Sequence, residues 1–436
     1  MNFFKPLVCF LLFSSKVLAQ DTISRILTIP QLFELTIANS QQLAATRANI
    51  AINEGKTEIA RSQRLPEIVT SADAGYLSTI AILNPDFSWY TNVKTPHFTN
   101  NYYLEANQTL YKGGSIGLNI QKSELLERLS SLIYEKDRQD IQLILLEKYL
   151  NLFQLYNGSV IYRSNICLAR RRLSDMAKLK IQGLVTRNDI IRNELLIADF
   201  NLDLDEVENN IDILNKQLQI VLGLPRNIRI LPDTTLNGMQ PESLTLQEYT
   251  AAALLRQPAI KATNVSEQIA GKNVALEKSL RLPEISLYAG DALQRPFLYT
   301  LDPLNIYYNA YQTGIKLKYN ISSLYHAKDR IKVARLELAQ QQTRTIVQQQ
   351  QTEIEVNTAF IKFREAQQHY LTLTKSLELA DDNFRIVEKK YINQLSQITD
   401  ILDASTAKLS AELRLSNARI NIISRWYQLQ KAAGNF

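Results

Sequence analysis

The sequence predicts an α-helical protein with a transmembrane β-barrel, built as two structural repeats of helix, strand, strand, long helix and helix. Three observations lead there. The phrase Arg64-Leu65-Pro66-Glu67-Ile68 returns as Arg281-Leu282-Pro283-Glu284-Ile285, 217 residues later, and the match runs back without a gap to Leu27 and Leu244. The 436 residues include only 13 Gly and 12 Pro, with neither between Gly314 and Gly434, so helices far longer than the usual three turns are required. Two pairs of segments alternate apolar and polar residues with a period of two, the pattern of half-exposed strands.

The first residues, MNFFKPLVCFLLFSSKVLAQ, carry Lys5, an apolar run from Pro6 to Phe13 and Val17-Leu18-Ala19. Residues 1–19 therefore read as a secretory signal peptide. The run is shorter than the ~18 residues that span a bilayer, and Cys9 lies inside it, so no lipid anchor is expected. After cleavage Cys167 is the only cysteine, which excludes a disulfide framework and a cysteine metal site. The net charge of +6 becomes +4 without Lys5 and Lys16. Arg170-Arg171-Arg172 is the only tight basic cluster. Consecutive residues on a helix point in different directions, so this run reads as a solvated face, and no nucleic-acid partner is expected.

The first repeat is assigned to 20–223. It opens with a helix over about 30–65, stopped by Pro66, which cannot donate a backbone hydrogen bond and pushes Leu65 out of the α region. Strands are expected at about 67–79 and 99–111. Gly113-Gly114 leads back into helix, over about 115–183, a rod of roughly 100 Å. Along it Leu145, Leu152, Ser159, Ile166 and Leu173 fall seven apart, with Leu155, Tyr162, Ala169 and Met176 as a second seam. Gly183-Leu184-Val185-Thr186 breaks the helix, and Asn188 or Asp189 can open the next. There Ile190, Ile197, Leu204, Ile211 and Leu218 repeat every seven residues, which specifies left-handed, coiled-coil packing of two antiparallel helices.

Residues 224–243, with Pro225, Pro232, Gly238 and Pro241, read as the linker. The second repeat, 244–436, follows the same plan. A helix over about 245–282 leads to strands at about 284–293 and 309–321. A long helix over about 322–390, a break at 391–397 and a last helix over about 398–433 complete it, with no appended domain expected. Tyr299, Tyr307, Tyr308, Tyr311 and Tyr319 crowd the strand ends, as an interfacial aromatic girdle requires. Four strands cannot close a barrel, and open sheet edges are forbidden in hydrocarbon. A membrane-spanning form must then share strands between copies, and three copies supply a trimeric 12-stranded barrel.

The segments Ile398-Thr399-Asp400-Ile401-Leu402-Asp403-Ala404-Ser405-Thr406 and Gly183-Leu184-Val185-Thr186-Arg187-Asn188-Asp189, the repeated Leu-Pro-Glu-Ile and the Leu110-Tyr111-Lys112-Gly113-Gly114 turn resemble the TolC family. These are outer-membrane exit ducts of efflux and type I secretion systems. The resemblance spans the mature chain. It implies a homotrimer in the cell outer membrane, with a coiled-coil tunnel in the periplasm and a closed tip. It also implies outer-membrane lipid around the barrel, and as partners a periplasmic adaptor (membrane fusion) protein and an inner-membrane pump.

In the family two acidic residues one helical turn apart line the periplasmic entrance, and the matching positions are Asp400 and Asp403. Their spacing puts both on one helix face, and threefold symmetry would make a ring of carboxylates that binds cations. The same spacing also suits Asp400 capping the last helix, with Asp403 in favourable interaction with its dipole. The family's entrance latch maps to Tyr391 and Asp189. Its basic partner falls at Ser396, so a Tyr–Asp hydrogen bond is the part of the latch that this sequence retains.

No enzyme is expected. His97, His326 and His369 are scattered, Asp381-Asp382 reads as a solvated helix pair, and neither a phosphate loop nor a nucleophile elbow occurs. No cofactor or metal is expected. The alternative to a duct is a secreted or periplasmic coiled-coil scaffold.

Overall fold

In the computed structural model the described residues are 23–238, 244–300 and 302–436. The signal-peptide segment lies outside them, as does part of the inter-repeat linker. The elements run β1 (Ile23–Leu27), α1 (Ile29–Asn39), α2 (Gln41–Ser62), β2 (Glu67–Tyr76), β3 (Ile80–Leu83), β4 (Trp89–Val93), β5 (Phe98–Lys112), α3 (Ser115–Ile181), α4 (Arg187–Val221) and β6 (Ile228–Pro232). A short 3-10 turn follows, and then α5 (Leu246–Arg256), α6 (Pro258–Ser279), β7 (Glu284–Arg295), β8 (Tyr308–Lys318), α7 (Ser323–Ile392) and α8 (Ile398–Ala432).

The chain divides into two compact units that cut across the sequence repeats, each taking part of both. One holds residues 42–138, 245–357 and 432–436; the other holds the remainder.

The first of these contains an antiparallel sheet in the order β2-β5-β7-β8. Its strands cover Glu67–Tyr76 and Phe98–Lys112 in the first repeat, and Glu284–Arg295 and Tyr308–Lys318 in the second. The segment 80–98, read from sequence as plain connection, contains the hairpin β3–β4. Directly paired residues share a sheet face. One face therefore carries Ile68, Leu104, Leu287, Ile315 and Leu317, all exposed, joined toward the strand ends remote from the helices by Asp291, Arg295 and Asn309. The opposite face carries Asp73, Glu105, Lys316 and Lys318. Where β5 turns into α3, Gly113 has φ +61, and a Cβ there would stand 2.5 Å from the Ser279 carbonyl oxygen. Beside the sheet, Arg61 of α2 pairs with Glu124 of α3 at 2.9 Å, and Arg330 of α7 pairs with Glu277 of α6 at 2.7 Å.

The other unit is a helical assembly with a two-stranded parallel sheet, β1–β6, in register from Ile23–Ile228 to Leu27–Pro232. Its second strand, β6, lies within the segment read from sequence as the inter-repeat linker. Tyr149 of α3 is fully buried beneath it, donates its hydroxyl to the Leu27 carbonyl and accepts from the Asp233 amide at 2.8 Å. Burial pushes the Tyr149 pKa up to about 12. The heptad residues Leu145, Leu152, Ser159 and Ile166 of α3 are buried, as are Phe200, Ile211 and Leu218 of α4.

The single opening helix expected in each repeat is two helices. The first breaks at Ser40, whose amide donates to Thr36 O at 3.1 Å; the second breaks at Gln257, whose amide donates to Ala253 O at 2.9 Å. Pro258 begins α6 at a position where a missing amide is harmless. Each opening helix carries a capping box, Thr28 with Gln31 and Thr245 with Glu248.

Candidate functional site at the helical turns

The α3–α4 and α7–α8 turns lie in one compact unit. In the first, Gly183 takes φ +73, and the Leu184 amide reaches back to Leu179 O at 3.0 Å. In the second, Gln394 takes φ +60, and the Leu395 amide reaches Lys390 O at 2.8 Å. These bonds satisfy carbonyls that a helix end leaves free. The chain then re-enters helix. Thr186 caps α4 in a capping box with Asp189, whose Oδ2 accepts from the Thr186 amide at 2.9 Å and the Thr186 hydroxyl at 2.7 Å. Asp400 does the same for α8, accepting from the Gln397 amide at 3.0 Å.

Behind the turns Met176, Phe384, Ile398, Ile401 and Ala404 form a buried cluster with Tyr391 packed against it. Inward residues of α8 thus recur at 398, 401 and 404–405, which leaves Asp400 and Asp403 exposed. A cleft of about 390 Å³ separates the turns and is lined by Asp189 and Arg192 from one side and Tyr391, Gln394 and Ser396 from the other. Neither Asp400 nor Asp403 lines it. The structure therefore splits the four sequence-predicted site residues: Asp189 and Tyr391 share the cleft, while Asp400 and Asp403 face out.

The Tyr391–Asp189 hydrogen bond expected from sequence is not made. The Tyr391 hydroxyl is buried without a partner among the described residues, because the Asp189 carboxylate is already held by Thr186. Burial raises the Tyr391 pKa, with a further contribution from the nearby Asp189 charge and an opposing one from Arg172.

Arg172 was not foreseen in this role. Arg170 and Arg171 are exposed as expected of a solvated face, but Arg172 turns inward. Its Nη2 donates to Ser405 Oγ of α8 at 2.6 Å, its guanidinium lies 5.7 Å from the Phe384 ring centroid of α7, and its Nε and Nη1 have no partner. Burial lowers its pKa, opposed by the charges of Glu388 and Tyr391. Lys408 lies over the same ring at 4.9 Å and pairs with Asp381 at 2.6 Å. Asp381 is thus a tie between α7 and α8, while Asp382 pairs along its own helix with Arg385. The sequence signal available was position: Arg172 directly precedes the seam residue Leu173, where coiled coils place charges that bridge helices.

Among the described residues no group of three or more His, Cys, Asp or Glu side chains converges on a metal-sized site, and no helix is long and apolar enough to cross a membrane. The bare apolar sheet face is what a wall in contact with lipid presents, and the fold is that of an outer-membrane channel. Residues 250–435 match the model of the outer membrane efflux protein family. The outer-membrane channel OprN superposes with a TM-score of 0.77 at 16% identity, over 94% of this chain and 90% of that one. VceC from Vibrio cholerae gives 0.76 at 15%, over 93% and 96%. CmeC from Campylobacter jejuni gives 0.73 at 16%, over 93% and 85%. The comparison with curated proteins found no match.

Proposed function

We propose that this outer-membrane efflux duct works as a passive homotrimeric channel. Its barrel would be walled by twelve shared strands, and its helical turns would form a periplasmic entrance opened by an adaptor and an inner-membrane pump. The observation that carries the reading is the four-stranded sheet, apolar on one face and unpaired at both outer edges, β2 and β8. Backbone groups on such edges cannot stay bare in hydrocarbon, so the sheet needs neighbours, and copies of itself complete it.

At the entrance we assign Asp400 and Asp403 to an acidic ring, since both are exposed on α8. Three copies would bring six carboxylates together, a site for multivalent cations. Tyr391 and Asp189 are assigned to the restraint that keeps the entrance shut, acting across their common cleft rather than through a direct bond. Arg172 and the Asp381–Lys408 pair tie the helices behind them.

The test is fractionation followed by reconstitution. The duct reading expects recovery with the outer membrane and discrete conductance steps when the purified protein enters a planar bilayer. Recovery in the soluble periplasm alone, with no conductance, would overturn it.

A further inference from the structure

The internal repeat specifies how the two bare edges of the sheet meet. We propose that β8 of one copy pairs antiparallel with β2 of the next in a single register, in which Asn320 faces Glu67. Lys316 then faces Ser71, and Ile315 faces Ala72. The proposal rests on the channel reading above and deepens it, from the presence of a shared wall to the partner residues along its seam. Three independent constraints select this register.

The first is the sheet face. The apolar face takes even-numbered residues of β2, such as Ile68 and Ala72, and odd-numbered residues of β8, such as Ile315 and Leu317. Directly opposed residues share a face, so odd positions of β8 must meet even positions of β2. A slip of one residue would turn the whole apolar set toward the lumen. The permitted registers are therefore spaced two residues apart.

The second is the junction with the helices. Within the chain, β5 runs five residues past the end of its pairing with β2, because β7 is there to receive it. It ends with Lys112 opposite Glu284, the residue after Pro283, and α3 starts three residues later at Ser115. β8 stops at Lys318, opposite the same Glu284, with nothing further to pair. Three residues before the start of α7 at Ser323 stands Asn320, the counterpart of Lys112. Glu67, the residue after Pro66, is the counterpart of Glu284. Matching the two junctions places Asn320 opposite Glu67 of the next copy.

The third is strand tilt. A line across the sheet, perpendicular to the strands, passes from Glu67 to Asn107, Tyr288 and Gly314. In the proposed register Gly314 faces Asp73 of the next copy, a climb of six residues per copy. With ~3.3 Å per residue and ~4.8 Å between strands, twelve strands then tilt by about 46°, at the edge of the usual 35–45°. The register two residues longer requires about 54°. The register two residues shorter has an acceptable tilt, but it puts Asn320 opposite Leu65, in the turn before Pro66, and breaks the junction match. The selected register also brings Tyr311 against Tyr76 on the lipid face. These are the most exposed large hydrophobic side chains of β8 and β2, at 82% and 77%, and a cross-strand aromatic pair would cover both.

The test uses the full chain in its own membranes, with Cys167→Ser removing the native thiol and cysteine pairs placed across the seam. Directly opposed Cβ atoms lie about 4.5–5.5 Å apart and diagonal ones about 7–8 Å, while a disulfide needs about 3.5–4.5 Å. Adjacent pairs alternate between close and wide spacing, so two in-register pairs are tested: K316C with S71C, and I315C with A72C. After oxidation, covalent dimers and trimers are expected from at least one of these, several-fold above K316C with D73C and K316C with V69C. Dominant linkage in either of the last two pairs would overturn the register. No linkage in any pair would overturn the shared seam. Conductance of the Cys167→Ser parent is measured alongside, so that failure of the seam and failure of the channel reading are distinguished.

Discussion

The turn at Gly183 and the turn at Gln394 make the same backbone bonds with different residues. Position by position, Gln394 stands where the first turn has Gly183, Gln397 where it has Thr186, and Asp400 where it has Asp189. Asp403 stands where it has Arg192. Capping alone therefore accounts for both Asp189 and Asp400, since each carboxylate receives the amide of the residue that opens its helix. It does not account for Asp403, which is exposed and makes no hydrogen bond or ion pair among the described residues. The acidic ring we assign to the entrance thus rests on Asp403 more than on Asp400, and on the second turn alone.

Seven substitutions at six positions break or sharpen this comparison, each read by thermal unfolding of detergent-solubilised protein. The largest effect is expected from Arg172→Ala, which removes a charged hydrogen bond to Ser405 and the stacking on Phe384. The bond alone is worth about 1.5–3 kcal/mol. Arg172→Met should cost clearly less, because it keeps the packing volume that alanine loses, while both remove the two unpaired buried donors.

Thr186→Ala should cost about 1 kcal/mol through loss of the cap, whereas Gln397→Ala should change stability by a few tenths at most, because Gln397 offers its backbone amide. Equal losses would show that the two caps are not different in kind.

Gln394→Gly should stabilise the second turn by up to about 1 kcal/mol, since a side chain at positive φ is strained, and Gly183→Ala should cost a similar amount. A Gln394→Gly loss instead would assign the Gln394 side chain a contact that offsets its strain.

The smallest effect concerns pH. The Tyr391 pKa is raised in the folded protein, so above pH ~10 the unfolded chain loses this proton first and stability falls as pH rises. Tyr391→Phe should fall less steeply over that range than the parent. Parallel curves would mean that the buried hydroxyl does not titrate with folding.

Much of this architecture can be read from residue patterns, for identifiable reasons. Long helices follow from the absence of Gly and Pro between Gly314 and Gly434, and the strands from their alternation, because both are local, repeated signals. What escaped is settled by contacts distant in sequence. β6 lies in a proline-rich stretch and is a strand only because β1 supplies a parallel partner. The break at Ser40 carries no proline, although Pro258 marks its counterpart in the second repeat. Arg172 looks like its two neighbours until helix phase turns it toward Ser405. Asp189 fits a latch by position, yet Thr186, three residues away, holds its carboxylate. Local capping outcompetes a longer-range bond at that site, and only the folded turn reveals it.

The most direct test of the entrance assignment is cation block in a planar bilayer, comparing the parent with Asp403→Asn and with Asp400→Ala/Asp403→Ala. A trivalent cation added on the side of the helical turns should block the parent. Asp403→Asn should relieve that block with thermal stability unchanged, and the double variant should abolish it. Block in both variants equal to that of the parent would contradict the account.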